Sequence, residues 1–310
     1  MKVVLTKAQK FHDDIREKIT SLGYDILDHG PEDDEFTEEE YECDVVVGLN
    51  PFKASNIEKF KNLRFFQATS AGYDTIPLDG LREKNIIFAN ARDVYSVPIA
   101  EFTIMRILEI YKKSFMYFKQ QSACEWNRDF RLQELTGKKA AILGTGSIGV
   151  QIAKRLKAFD AVTIGYNRSG NSAEYFDEIY KIDSFKSMAD KLDVIICALP
   201  LNGDSVHIID REILNKMGSK SVLINIGRGQ SVDTKALYEV LKENKIMGAA
   251  LDVFENEPLE ADSMLWGLDN LLISPHICSG SNYMNKRVYD LVYANLKAFA
   301  DGTEIINRII

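Results

Sequence analysis

Late in the chain, a planar cation, a carboxylate and an imidazole follow one another at the ends of apolar runs. Arg228 lies in Ile224-Asn-Ile-Gly-Arg-Gly229, Asp252 and Glu257 in Ala250-Leu-Asp-Val-Phe-Glu-Asn-Glu-Pro258, and His276 in Ile273-Ser-Pro-His-Ile-Cys278. Together they supply what reduction of a 2-keto acid requires. Arg228 can grip a substrate carboxylate in a two-pronged fork that lysine cannot match. His276 can give a proton to the carbonyl oxygen as hydride arrives at carbon, and Glu257 can hold the ring in one orientation and favour its charged form. Each also has a plainer reading. His276 after Pro275 could be a structural loop histidine, Arg228 a surface arginine, and Glu257 a first-turn carboxylate in a helix opened by Pro258. Their occurrence together at successive strand ends favours the chemistry. Cys278, two residues from His276, reads as a structural thiol and not a nucleophile.

Such residues need a sheet to place them. In the first third, the short apolar runs Val3–Leu5, Tyr24–Leu27, Asp44–Leu49, Leu63–Ala68 and Ile86–Ala89 alternate with helix-compatible segments Ala8–Ser21, Lys53–Lys61 and Leu78–Lys84. That alternation predicts a parallel sheet with helices on both faces. Its strand exits include Gly48-Leu-Asn-Pro51, Ser70-Ala-Gly-Tyr-Asp74 and Asn90-Ala-Arg-Asp-Val-Tyr-Ser96, where open α/β sheets bind ligands. A helix with Pro98 in its first turn is expected to run to about Gln121.

From Lys139 the alternation restarts in drier strands: Ala140–Leu143, Val162–Tyr166, Val194–Leu199, Val222–Ile226, Ala249–Val253 and Leu271–Ser274. The first of these runs into Gly144-Thr-Gly146-Ser-Ile-Gly149 and then a helix with a buried stripe at Ile148, Ile152, Leu156 and Phe159. A G-x-G-x-x-G pattern between strand and helix is the setting for a dinucleotide. The glycines allow a tight turn, a close pyrophosphate and close helix packing, and the phosphates sit at the helix N-terminus. Asp233 reads as the N-cap of a helix over Thr234–Glu243. After His276 only one long helix, roughly Lys286–Ala300, and a short tail remain, too little for a domain. The expected layout is therefore a Rossmann dinucleotide-binding domain, residues 98–285, inserted into a flavodoxin-like, doubly wound substrate domain, residues 1–97 with 286–310.

Composition bounds the rest. The chain has 310 residues and a net charge of −8, which disfavours nucleic acid or an anionic membrane as partner. The acidic run Glu32–Glu42 reads as a solvated loop and helix face. Four scattered cysteines and four histidines without ligand spacing give no metal signature. The apolar segment Ile99–Phe118 is interrupted by charges and reads as a buried helix. The N-terminal run is too short for a signal peptide, so a cytoplasmic location is expected.

The order Gly-x-Gly-x-x-Gly, Asn-x-x-Arg-Gly, Asp-Val-Phe-Glu-x-Glu-Pro and Ser-Pro-His resembles the D-isomer-specific 2-hydroxyacid dehydrogenases, in a short form without a regulatory domain. Leu135-Thr-Gly-Lys138, Ala198-Leu-Pro-Leu201 and Ser70-Ala-Gly-Tyr-Asp74 extend the likeness over nearly the whole chain. The resemblance implies a catalytic triad of Arg228, Glu257 and His276. It implies cofactor contacts from Gly144, Thr145, Gly146, Ser147, Ile148, Gly149, Leu199, Pro200, Ile226, Asp252, His276 and Ser279. Substrate contacts would come from Asn50, Ser70, Ala71, Gly72 and Arg228. It further implies a homodimer joined through the cofactor domains and substrates of the glyoxylate or hydroxypyruvate kind. Two departures stand out. Asn202-Gly-Asp-Ser205 replaces the usual threonines, and Asn167 stands where NAD-preferring members carry an aspartate for the ribose 2′-OH. With Arg168 and Ser169 beside it, the site is expected to favour NADP(H), with NAD(H) second. A dinucleotide-sensing, corepressor-like protein on the same fold is the alternative.

Overall fold

The computed structural model describes residues 1–52 and 56–310. The chain forms two compact units, Met1–Tyr95 with Ser281–Ile310, and Ser96–Gly280. In the first, β1 (Lys2–Leu5), α1 (Asp13–Ser21), β2 (Asp25–Asp28), β3 (Val45–Gly48), β4 (Phe65–Ala68), α2 (Leu78–Glu83) and β5 (Ile87–Ala89) build a sheet of order β2-β1-β3-β4-β5. All its pairings are parallel, so this is the flavodoxin-like arrangement. Successive strand residues point to opposite faces. Val3, Leu5, Val45, Val47 and Phe65 enter one core, and Val4, Val46, Phe66 and Phe88 the other. Both faces are covered, hence the near-continuous apolar strands.

The second unit opens with α3 (Ser96–Tyr111) and α4 (Ser114–Ser122), followed by β6 (Lys139–Leu143), α5 (Ser147–Lys157), β7 (Val162–Asn167), β8 (Glu178–Lys181) and β9 (Val194–Cys197). It continues through α6 (Arg211–Lys216), β10 (Val222–Asn225), α7 (Thr234–Lys242), β11 (Gly248–Leu251) and β12 (Leu271–Ile273). The sheet order is β12-β11-β10-β9-β6-β7-β8, all parallel. Counted from β6, this is the Rossmann order extended by one strand. Asp233 caps α7, its carboxylate accepting from Ala236 N at 2.8 Å. The last helix, α8 (Met284–Asp301), belongs to the first unit, where Val288, Val292 and Leu296 pack with Val45 and Phe65.

Several expectations change. α1 begins at Asp13, not Ala8, with Asp13 and Asp14 in the first turn, where the helix dipole favours acids. In the expected helix Lys53–Lys61, residues 53–55 lie outside the described residues, and Ile57–Lys59 form only a 3-10 turn. The helix begun at Ser96 does not reach Gln121. It breaks at Lys113, which adopts a left-handed conformation (φ 55°) with its ammonium 2.6 Å from Asp129. Ile152 and Leu156 are buried on α5, but Ile148 is only half-buried and Phe159 exposed; the helix stops at Lys157, so the stripe ends before Phe159. No apolar run announces β8, whose Glu-Ile-Tyr-Lys lies at the sheet's edge and buries almost nothing. The acidic run is not uniformly solvated. Glu40 is buried with its carboxylate 3.1 Å from the His29 ring, and Glu32 turns inward onto neighbouring backbone. No helix among the described residues is long and apolar enough to cross a membrane, and none of their His, Cys, Asp and Glu side chains cluster as a metal site.

Candidate active site

The order of the larger sheet reverses between β6 and β9, and the glycine turn lies there. Gly144 has φ +102°, and a Cβ on it would stand 2.9 Å from the Ala198 carbonyl oxygen beyond β9. A Cβ at Gly149 would fall 2.0 Å from Gly144 O, so only glycine lets α5 seat so closely on the turn. Gly146 faces open space and is the N-cap of α5, with no side-chain cap and no acid in the first turn. The first amides of α5, including Ser147 and Ile148, are thus left for an anion. A cradle with these two close approaches and one open glycine fits a dinucleotide pyrophosphate. The Ser147 hydroxyl accepts from the Ser96 hydroxyl at 3.0 Å.

Beyond β7, Asn167 is a turn-former. Its amide donates to Thr145 Oγ1 at 2.8 Å and to Asn171 O at 3.0 Å, and its Oδ1 accepts from Gly170 N and the Ser169 hydroxyl. Arg168 stands exposed on this turn, with no hydrogen-bond or ion-pair partner among the described residues. After β9, Leu199 and Pro200 lead into a loop that consumes its own polar groups. Ser205 is buried and donates to Pro200 O, while Asn202 Oδ1 accepts from Asp204 N and Ser205 N. The two replacements for the usual threonines therefore serve the loop itself. Ile226 is buried, and Ser279 is half-buried in the turn after Cys278.

Arg228, Glu257 and His276 follow β10, β11 and β12, three neighbouring strands whose ends lie about 5 Å apart in sequence of pairing. The Glu257 carboxylate meets His276 Nδ1 at 2.8 Å and accepts from Phe254 N at 2.9 Å. No helix starts at Glu257, so the first-turn reading of that residue fails. With Nδ1 donating to Glu257, Nε2 is left for another partner. The His276 side chain is 53% exposed and that of Glu257 35%. Arg228 donates to Gly227 O at 2.8 Å. Its flanking glycines are close-approach sites: a Cβ at Gly227 would stand 2.7 Å from Leu199 O, and one at Gly229 1.9 Å from the Phe254 carbonyl. The β10 and β11 exits are thereby pressed together.

Asp252 has a role that its sequence position did not reveal. It is 1% exposed, and its carboxylate accepts from the Ser274 hydroxyl at 2.6 Å, Ile277 N at 3.1 Å and Cys278 N at 2.9 Å. It thus builds the loop that carries His276. A saturated ring of donors around a buried carboxylate is invisible in one sequence, because every donor but one is backbone. Cys278 is buried, and desolvation together with neighbouring Asp252 pushes its thiol up beyond the reach of ordinary pH, as suits a structural thiol.

In the first unit, Ser70, Ala71 and Gly72 form a turn after β4. Ser70 donates to Gly72 O at 2.8 Å, and Asn90 Nδ2 holds Ala71 O at 2.7 Å. Tyr95 donates to Thr69 O. Asn50 Nδ2 donates to Thr75 Oγ1 at 2.9 Å. Asn90 and Tyr95 lie in a strand exit marked as ligand-facing, yet here they brace the neighbouring turn.

The family described as D-isomer specific 2-hydroxyacid dehydrogenase, NAD binding domain, matches residues 104–278. A glyoxylate/hydroxypyruvate reductase from Arabidopsis thaliana is 34% identical over 83% of this chain and 82% of its own length. A D-3-phosphoglycerate dehydrogenase from Methanocaldococcus jannaschii is 32% identical over the whole chain, which spans 59% of that relative. Among solved structures, a D-isomer specific 2-hydroxyacid dehydrogenase family protein from Aeromonas salmonicida superposes with a TM-score of 0.85 at 28% identity, covering 100% of this chain and 98% of the other. The chain belongs to the D-isomer specific 2-hydroxyacid dehydrogenase family.

Proposed function

We propose that the protein reduces a small 2-keto acid to its D-2-hydroxy acid, with His276 and Glu257 as the proton-handling pair and Arg228 holding the substrate carboxylate. The observation that carries this reading is the 2.8 Å contact between His276 Nδ1 and Glu257, two strand exits from Arg228. A nicotinamide dinucleotide held by the glycine turn Gly144–Gly149 would supply the hydride for the keto carbon. His276 Nε2 gives its proton to the carbonyl oxygen, and the imidazole left behind recovers one from solvent, to which it is open. Glu257, 2.8 Å from Nδ1, fixes the tautomer and orientation of the ring. Arg228 orients the substrate through its carboxylate. In the first unit, the turn Ser70–Gly72 and Asn50 are the substrate contacts of this reading. The name of the Arabidopsis relative supports glyoxylate- and hydroxypyruvate-type acids as the substrates. With His276→Ala, kcat should fall by about 10²–10⁴-fold while cofactor affinity changes less than about twofold. Near-normal turnover would remove His276 from the mechanism.

The cofactor reading favours NADP(H). Asn167 brings no charge to repel a 2′-phosphate, and exposed Arg168 stands beside it with no competing partner among the described residues. Arg168→Ala should raise KM for NADPH about tenfold and leave that for NADH within about twofold. A wild type that prefers NADH would contradict this.

The second unit leaves large apolar side chains in water, with Trp126 87% and Phe130 85% exposed and Phe118 also open. Exposed apolar side chains of that size fit a second copy of the chain, so the protein is read as a homodimer joined through this unit. Light scattering should give a dimer for wild type and a monomer for Trp126→Ser/Phe130→Ser. A monomeric wild type would overturn the reading.

A further inference from the structure

The five-stranded sheet has its own reversal of strand order, between β1 and β3, and at such points open α/β sheets take ligands. Here the crevice is closed by a side chain of the protein. Glu32, in the loop after β2, accepts at Oε1 from the Thr6 hydroxyl at 2.6 Å and the Leu49 amide at 2.5 Å. Its Oε2 accepts from the Asn50 amide at 2.8 Å. Thr6 follows β1; Leu49 and Asn50 follow β3. Gly48 makes room for the carboxylate, since a Cβ there would stand 2.6 Å from Glu32 Oε1 and 2.8 Å from Thr6 Oγ1. The donors that would cradle an external anion are already giving their protons to an internal one.

The next strand along is β4. Gly48 lies opposite Ala68, Thr69 N donates to Gly48 O at 2.7 Å, and Asn50 Nδ2 crosses to Thr75 Oγ1 at 2.9 Å. Strand spacing then places the Glu32 charge on the order of 10 Å from the turn Ser70–Gly72. A substrate held there by its own carboxylate and extending toward Asn50 would bring a second anionic group closer to Glu32 than the first, and at that range, in a partly desolvated setting, two like charges discriminate appreciably. We propose that Glu32 is a specificity-determining residue, a built-in anion at the β1/β3 crevice that bars 2-keto acids carrying a second phosphate or carboxylate. The substrates are then monoanionic, with a neutral tail. This rests on the reading that Ser70–Gly72 holds the substrate's own carboxylate.

The test compares hydroxypyruvate with its 3-phosphate ester, both with saturating NADPH, in wild type and in Glu32→Gln, Glu32→Ser and Thr6→Val. In wild type, kcat/KM for hydroxypyruvate should exceed that for the ester by at least about tenfold. The neutral variants should narrow the gap at least about fivefold, through a lower KM for the ester and with cofactor KM unchanged. Glu32→Ser, which admits water to the freed amides, provides the second neutral variant should Glu32→Gln not fold. Thr6→Val removes one donor but keeps the charge, so its gap should stay within about twofold of wild type. A wild type that uses the ester as well as hydroxypyruvate overturns the proposal, as does an unchanged gap in the folded neutral variants. Equal narrowing in Thr6→Val would show scaffolding instead of charge and also overturn it. Absence of turnover with every 2-keto acid would bring down the dehydrogenase reading itself and this proposal with it, whereas turnover with an unaltered gap sinks Glu32 alone.

Discussion

The buried carboxylate of Asp252 and the three donors it gathers hold the β12 exit in one shape, and the rest of the candidate site depends on that shape. His276 has a positive φ of 51°, a conformation costing a non-glycine residue about 1–2 kcal/mol. Its amide donates to Asp252 O at 2.8 Å, and the side chain of the same aspartate binds Ser274, Ile277 and Cys278 on either side of it. Hydrogen bonds to a charged group contribute about 1.5–3 kcal/mol each, so the carboxylate outweighs the strain. The imidazole is then aimed by backbone, and Glu257 needs only to fix its rotation and tautomer. The backbone contact of Gly229 with Phe254 extends the same constraint to Arg228.

The two sheets treat equivalent places in opposite ways. Where β6 and β9 diverge, Gly146 leaves amides facing open space and no acid lies in the first turn of α5. Where β1 and β3 diverge, Glu32 takes the amides for itself. An open crevice beside exposed Arg168, which has no partner among the described residues, suits a polyanionic cofactor. A crevice filled by the chain's own carboxylate suits a small ligand held from one side.

Much of this was legible in the sequence, because periodicity and glycine spacing are local signals. The strand alternation, the glycine turn, the Asp233 cap and the strand-end positions of Arg228, Glu257 and His276 all depend on residues within a few positions of one another. What escaped depends on distant partners. β8 is an edge strand with little to bury. The break at Lys113 is fastened by Asp129, sixteen residues on. Phe159 continued a helical stripe in the sequence, but α5 had already ended. The part Asn167 plays in shaping the turn that presents Arg168 depends on Thr145, twenty-two residues back. Glu32 looked like one more residue of an acidic run; only the pairing of β1 with β3 brings Thr6, Leu49 and Asn50 around it.

The handedness of the product tests the central account most directly. Hydroxypyruvate incubated with the purified protein and NADPH should yield glycerate that resolves on a chiral column as the D isomer alone, with one NADPH consumed for each glycerate formed. Formation of L-glycerate, or NADPH left unoxidised by hydroxypyruvate and by other small 2-keto acids, would contradict it.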